Sequence, residues 1–193
     1  TLISIYMKSC NTLLALSLFL FCMLFVVSCN LGNKQYTEYS FEDLMTPQDT
    51  IEVEELIATF YSYVINKEFD EAAAMLYRVN PDSPEGQPIL LDNEQLNEVI
   101  ATLQTLPAID YGIEYMKFYD GYENEVMCHV IVAKGENGMP DVTTKMFFKP
   151  LFYLGKWSLS IMNYSWGDRG IVDPSDRDSL ARRYRAYHQR DSI

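Results

Sequence analysis

Apolar residues in the first half of the domain recur every three to four positions, which is the spacing of one face of an α-helix. Asp49 with Glu52, and Asp92 with Gln95, have the spacing of a capping box and predict the starts of two helices. A shorter helix is predicted between them, at residues 70–77. Three helices are therefore expected before the middle of the chain.

After Pro107 the period changes from about 3.6 residues to 2, as in a half-buried strand. Ile109, Tyr111, Ile113 and Tyr115 alternate with polar residues or glycine and predict that these four side chains share one face. The predicted strands span residues 109–115, 125–133, 142–149 and 156–164. Short turns between them predict one antiparallel sheet of about four strands.

The segments FYSYVINKEFDEAAAML and GKWSLSIM resemble the helix-turn-helix and the closing strand of the nuclear transport factor 2-like superfamily. The resemblance covers about residues 49–166 and implies an α+β cone, in which three N-terminal helices pack on a curved antiparallel sheet. We place this domain at residues 49–168. Because this fold serves many functions, the resemblance does not assign one.

The resemblance also implies a pocket between the sheet and the helices. Aromatic side chains and one histidine are candidates to line it, and they would suit a flat apolar ligand. These candidates are Tyr61, Tyr111, Tyr115, His129, Phe147 and Trp157. Ordinary core packing is the competing explanation for the aromatic residues.

Catalytic chemistry has few candidates in this sequence. His129 is the one histidine before the C-terminal tail, and Asp110 and Glu114 alternate with the apolar residues of the first strand. A base of either type inside the cone would be needed for an isomerase-like reaction. A histidine bonded to the backbone and two solvent-facing carboxylates are the simpler interpretation, so we assign no catalytic residue, metal or cofactor.

The N-terminus has the layout of a signal peptide, read from Met7. Lys8 precedes an uncharged apolar run from Leu13 to Val27, which is too short for an ordinary membrane span. Residues 26–29, Val-Val-Ser-Cys, resemble the lipobox of bacterial lipoproteins. Residues 1–28 are therefore predicted to be a signal peptide with upstream residues, cleaved before Cys29.

The resemblance to lipoproteins implies that the Cys29 thiol carries lipid, and several acyl chains make such an anchor effectively permanent. Residues 29–48 would then be the lipidated cysteine and a tether. The expected location is the cell envelope, on an outer membrane and facing the periplasm. An uncut transmembrane anchor is the alternative, because the uncharged stretch extends from Ser9 to Asn33.

The chain is strongly acidic, with a formal net charge of −12. Nucleic acid is therefore not expected as a partner, because its phosphates would be repelled. Arginine is concentrated in the last 25 residues, which hold six arginines and four acidic residues. Of the four cysteines, only Cys128 would remain as a free thiol in the processed and lipidated protein.

Residues 169–193 are predicted to be an Arg-rich extension with a helix that starts at Asp173-Pro174-Ser175-Asp176. This helix would either bind an acidic partner, such as an envelope protein or an acidic polymer, or fold back on the acidic body. The second arrangement is the simpler expectation.

Two classes of function remain. The favoured one is a lipid-anchored, noncatalytic binding or scaffolding module of the envelope. The alternative is a small-molecule-binding protein, or a small isomerase- or dehydratase-like enzyme, that uses the cone pocket.

Overall fold

The computed structural model describes residues 44–136 and 138–190. The predicted signal peptide, Cys29 and residues 30–43 of the predicted tether lie outside these residues. The described part is an α+β fold with antiparallel sheets. Its helices are α1 (Pro47–Ile65), α2 (Phe69–Ala74), α3 (Asn93–Thr105) and α4 (Arg177–Arg190), with a 3-10 turn at Tyr164–Trp166. Its strands are β1 (Tyr77–Arg78), β2 (Ile89–Leu90), β3 (Asp110–Phe118), β4 (Asn124–Ala133), β5 (Val142–Phe148), β6 (Leu151–Tyr153) and β7 (Lys156–Ser158).

The two predicted capping boxes have different outcomes. Asp92 and Gln95 form one at the start of α3, as predicted. The prediction for α1 was wrong by three residues, because Thr46 is the N-cap and Asp49 is the third helical residue. Pro47 occupies the first helical position, where a missing N–H costs nothing.

Strands β3, β4 and β5 form the main sheet in that order, and every neighbour is antiparallel. The predicted fourth strand, residues 156–164, is interrupted. Its first part is β7, which pairs with β6 in a separate hairpin. The chain then returns to the edge of β5, where the Lys149 amide donates to Ser160 and the Met162 amide donates to Phe147. The three-residue strand β6 is apolar throughout, so no alternation distinguished it from the predicted turn.

A β-bulge in β3 corrects the predicted alternation. Ile113 pairs with Cys128 and Tyr115 pairs with Met127, so Glu114 is the extra residue. Because one inserted residue reverses the faces of all that follow, Tyr115 lies on the opposite side of the sheet from Tyr111. The prediction that Ile109, Tyr111, Ile113 and Tyr115 share one face was therefore wrong.

Both faces of the main sheet are covered. The larger core joins one face to α1, α2 and α3, and its fully buried side chains include Ile57, Phe60 and Phe148. A smaller core joins the other face to the C-terminal segment, with Val172 and Leu180 against Met127 and Tyr115. The C-terminal helix α4 therefore packs on the domain.

Candidate functional site

Two of the predicted pocket residues meet in the larger core. The rings of Tyr61 and Tyr111 stack with centroids 4.2 Å apart and an interplanar angle of 16°. Tyr61 is fully buried, and its hydroxyl donates to the Met146 sulfur at 3.3 Å. Burial raises the pKa of Tyr61, so it remains a neutral phenol. Tyr61 is a core residue, whereas Tyr111 reaches the surface at one end of the stack.

Trp157 lies in another part of the same core. Its ring packs against those of Phe118 and Phe152, and the ring centroids lie 5.2 and 4.9 Å from that of Trp157. Its indole N–H donates to Asp49 Oδ1 at 3.0 Å and so joins the hairpin β6–β7 to the start of α1. With Lys156 and a set of α1 residues it lines a shallow hollow of about 300 Å³.

Tyr115 and Phe147 belong to the smaller core on the opposite face. The Tyr115 hydroxyl donates to Glu125 Oε1 at 2.5 Å. Burial and this carboxylate raise the pKa of Tyr115. The Arg177 guanidinium lies over the Phe147 ring, 5.0 Å from its centroid. The six predicted pocket residues are thus distributed over both faces of the sheet and are not brought together around one cavity.

His129 lies beside α4 on the same face as Tyr115. Its ring covers Gly112, where an added Cβ would collide with the His129 ring unless that ring moved. Nδ1 lies 2.9 Å from Glu114 Oε1, although the angle is too poor for a directed hydrogen bond. Arg185 contacts the other Glu114 oxygen at 3.2 Å.

Asp110, the other candidate base, does not join His129. Its carboxylate lies 3.7 Å from the Lys134 ammonium, and both side chains are more than half exposed. Asp110 and Lys134 therefore form a surface pair of small energetic value. Asp110 and Glu114 therefore have different partners, Lys134 for Asp110, and His129 and Arg185 for Glu114.

Glu125 is a functional-looking residue that the sequence reasoning missed. Its side chain is fully buried, yet Oε2 accepts the amides of Ile171 and Val172 at 2.7 and 3.2 Å. Tyr115 donates to Oε1, and Arg177 lies 3.7 Å from the same oxygen. An acidic residue at the start of an apolar strand was the available signal. Here the carboxylate holds the segment that leads into α4.

Glu54 is the second residue of this kind. Its Oε1 accepts the Tyr184 hydroxyl at 2.7 Å and lies 2.7 Å from His188 Nε2, so it joins α1 to α4. Burial and Glu54 raise the pKa of Tyr184, which therefore remains a neutral donor. A cleft of about 480 Å³ opens beside this contact. We name it the Glu54 cleft. Its lining residues are Ile51, Glu54, Glu55, Ala58, Tyr111, Gly112, Ile113, Tyr184 and His188.

A second concave surface lies between α3, β5 and residues 161–164. Two adjoining hollows of about 250 and 380 Å³ share Leu103, Ile161 and Met162, and we name them the apolar groove. Of the six predicted pocket residues, Phe147 lines this groove. Trp166, Asn163 and Ser165 hydrogen-bond to the Glu98 carboxylate and lower its pKa, which fixes one wall of the groove.

Cys128 is buried in the larger core. Burial raises the pKa of its thiol to about 12, against a smaller opposing effect of the Tyr61 hydroxyl. The thiol is therefore protonated at neutral pH and is not a nucleophile.

Within residues 44–136 and 138–190, no three side chains of the histidine, cysteine, aspartate and glutamate types come close enough to hold a metal ion. Nor does any helix of that part have the length and apolar character to span a membrane. Comparisons with known protein families, with curated proteins and with solved structures find no match.

Proposed function

We propose that the chain is a lipid-anchored lipoprotein of the cell envelope, on an outer membrane and facing the periplasm. Its domain acts as a noncatalytic binding or scaffolding module. The anchor rests on the apolar run that ends in Val-Val-Ser-Cys29. The function of the domain rests on how its polar side chains are used.

The observation that carries the noncatalytic assignment is the engagement of the candidate bases. Glu114 contacts both His129 and Arg185, and Asp110 contacts Lys134. A general base has to reach a substrate proton within about 3 Å inside a shielded site. These groups instead pair with one another at the surface of the sheet and against α4, which favours a structural use.

The domain supports the proposed cone of the nuclear transport factor 2-like type in its general arrangement. Helices α1 and α3 pack on one face of an antiparallel sheet, and the apolar groove opens between α3 and the sheet edge. In such a cone this is the position of the pocket. The groove would then be the binding surface for an apolar segment or ligand.

The Arg-rich tail offers a second surface. Arg177 and Arg185 pair with acidic residues of the domain, whereas Arg182 and Arg183 are exposed and form no ion pair with any described residue. We propose that these two arginines contact an acidic envelope protein or polymer. Replacing both with glutamine should weaken that contact without unfolding the domain.

Native mass spectrometry of the protein, purified from its own membranes in detergent, tests the anchor. The expected mass is that of the chain from Cys29 plus acyl groups, and Cys29→Ala should abolish both the acylation and the cleavage. If the wild type and Cys29→Ala each had the mass of their own uncleaved and unacylated sequence, the lipoprotein assignment would be refuted. A co-purifying protein would support the scaffolding role.

The alternative function is a small-molecule carrier or a small isomerase- or dehydratase-like enzyme. The apolar groove favours the carrier over the enzyme, because its larger hollow has a volume of about 380 Å³ and carries threonine hydroxyls at its rim. A small adduct in the same mass spectrum would identify a carrier. Absence of any adduct on the lipidated protein would count against it.

A further inference from the structure

The Glu54 cleft lies outside the cone pocket and serves none of the roles discussed above. Helix α1 forms one wall, α4 forms the other, and Gly112 and Ile113 of β3 lie between them. Its volume of about 480 Å³ is in the range of small-ligand sites. The two walls are held together by the contacts of Tyr184 and His188 with Glu54.

Hydrogen-bond acceptors in the cleft are left free by the protein. The contacts of the Glu54 carboxylate with Tyr184 and His188 both use Oε1, and no described residue bonds to Oε2. The neighbouring Glu55 side chain is exposed and forms no hydrogen bond or ion pair with the described residues. Two carboxylates therefore face the cleft, and one of them is held in a fixed orientation.

Aromatic surface lies beside these carboxylates. Tyr111 has one face covered by Tyr61, which fixes its ring and leaves only the other side for a ligand. Its hydroxyl forms no hydrogen bond with any described residue, and burial together with nearby negative groups raises its pKa. The Tyr184 hydroxyl donates to Glu54, and the Tyr184 ring packs against the His188 ring with centroids 4.4 Å apart. The negative face of a tyrosine ring attracts cations.

The surroundings of the cleft are negatively charged. No lysine or arginine lines it, and Arg185 of α4 is engaged by Glu114. The chain as a whole carries a net charge of −12, which raises the local concentration of cations and repels anions. A ligand for this site should therefore be positively charged, rich in N–H donors and partly apolar.

We propose that the Glu54 cleft binds a small organic cation, an alkyl- or arylammonium or a guanidinium compound, between the two glutamates and the Tyr111 ring. This inference rests on the proposed role as a noncatalytic binding module and names the class of its ligand. The ammonium group would donate to the glutamate oxygens, and its apolar body would lie over Tyr111 and Ile51. No carboxylate lines the larger hollow of the apolar groove, so that hollow would not compete with the Glu54 cleft for a cation.

Isothermal titration of the full chain in an uncharged detergent tests the proposal, with benzylammonium as the probe and benzyl alcohol as its neutral match. We expect benzylammonium to bind at least about tenfold more tightly than benzyl alcohol. Glu55→Gln and Tyr111→Leu should each weaken benzylammonium at least about threefold, as expected for the loss of one ionic or cation–π contact. Glu55 has no structural contact to lose, so Glu55→Gln remains informative if Tyr111→Leu proves unstable.

Glu71→Gln is the matched control, because it removes the same charge from an exposed position on α2. It should leave the affinity for benzylammonium unchanged. Equal binding of benzyl alcohol, or equal losses in Glu71→Gln and Glu55→Gln, would overturn the proposal. Such a failure would leave the lipoprotein assignment intact, because acylation at Cys29 is measured by mass and not by titration.

Discussion

At the scale of single residues, the described structure depends on a few polar groups that are buried with their partners. Glu125 has no exposed surface, and an isolated carboxylate in that position would be costly by several kcal/mol. Two backbone amides, the Tyr115 hydroxyl and Arg177 offset this cost. The absence of a side chain at Gly112 also matters, because the His129 ring occupies the space that a Cβ would take.

Glu125→Gln should destabilise the domain by about 3 kcal/mol, because donors that now meet a charged acceptor would lose it inside the core. Urea unfolding followed by circular dichroism measures this change in the free energy of unfolding. Glu123→Gln, an exposed neighbour, should change it by less than about 0.5 kcal/mol. Equal effects of the two substitutions would contradict the role assigned to Glu125.

At the scale of elements, short-range features decide where each helix and strand begins and which face it presents. The bulge at Glu114 places Tyr115 in the smaller core, and the hairpin turn at Leu154-Gly155 uses two residues with positive φ. Asp49 acts in two elements at once. It accepts the Thr46 amide and hydroxyl at the start of α1, and the Trp157 indole from β7.

The pKa of Asp49 follows from these bonds. Burial acts to raise the pKa, but the hydrogen bonds from Thr46 and Trp157 outweigh burial and lower it below its ordinary value of 3.8. A lowered folded-state pKa contributes stability that is present above the unfolded-state pKa and is lost as the pH falls through the folded-state value. Asp49→Asn should therefore cost most stability near neutral pH.

The test is urea unfolding of the wild type and Asp49→Asn at several pH values from about 7 down to about 2. The difference in free energy of unfolding should shrink below about pH 4. Glu55→Gln on the same helix is the control, because its side chain forms no hydrogen bond with the described residues. A difference between wild type and Asp49→Asn that stays constant with pH would show that the charge of Asp49 is not the stabilising feature.

At the scale of the whole domain, helices from opposite ends of the chain cover the two faces of the main sheet. Helices α1 and α3 cover the face with Cys128, whereas α4 covers the face with Met127 and Tyr115. The acidic body and the Arg-rich tail attract each other at specific pairs, Glu125 with Arg177 and Glu114 with Arg185. This docking closes one side of the Glu54 cleft.

Leu180→Ala should cost about 2 to 4 kcal/mol of unfolding free energy, because it opens a cavity in the smaller core. Arg183→Ala on the exposed side of α4 should cost less than about 0.5 kcal/mol. Thermal and urea unfolding of both variants would provide the comparison. If Leu180→Ala were as stable as Arg183→Ala, α4 would not contribute to the folded domain.

The sequence by itself determined the α+β class, the start of α3, the approximate spans of β3 to β5 and the presence of a C-terminal helix. These features depend on local periodicity and on capping residues that act within one turn. The sequence did not reveal the bulge at Glu114 or the short strand β6, because one inserted residue and a three-residue apolar strand leave no periodic signal.

Only the tertiary structure decided which side chains meet. Tyr111 and Tyr115 belong to one alternation pattern in the sequence, yet they lie on opposite faces of the sheet because of one bulge. Glu54 meets His188 across 134 positions of sequence, and Glu125 meets Val172 across 47. Contacts between residues so far apart in sequence depend on the register of the strands and on where α4 packs. The candidate cleft therefore emerged from the fold, whereas the candidate lipid anchor came from the sequence alone.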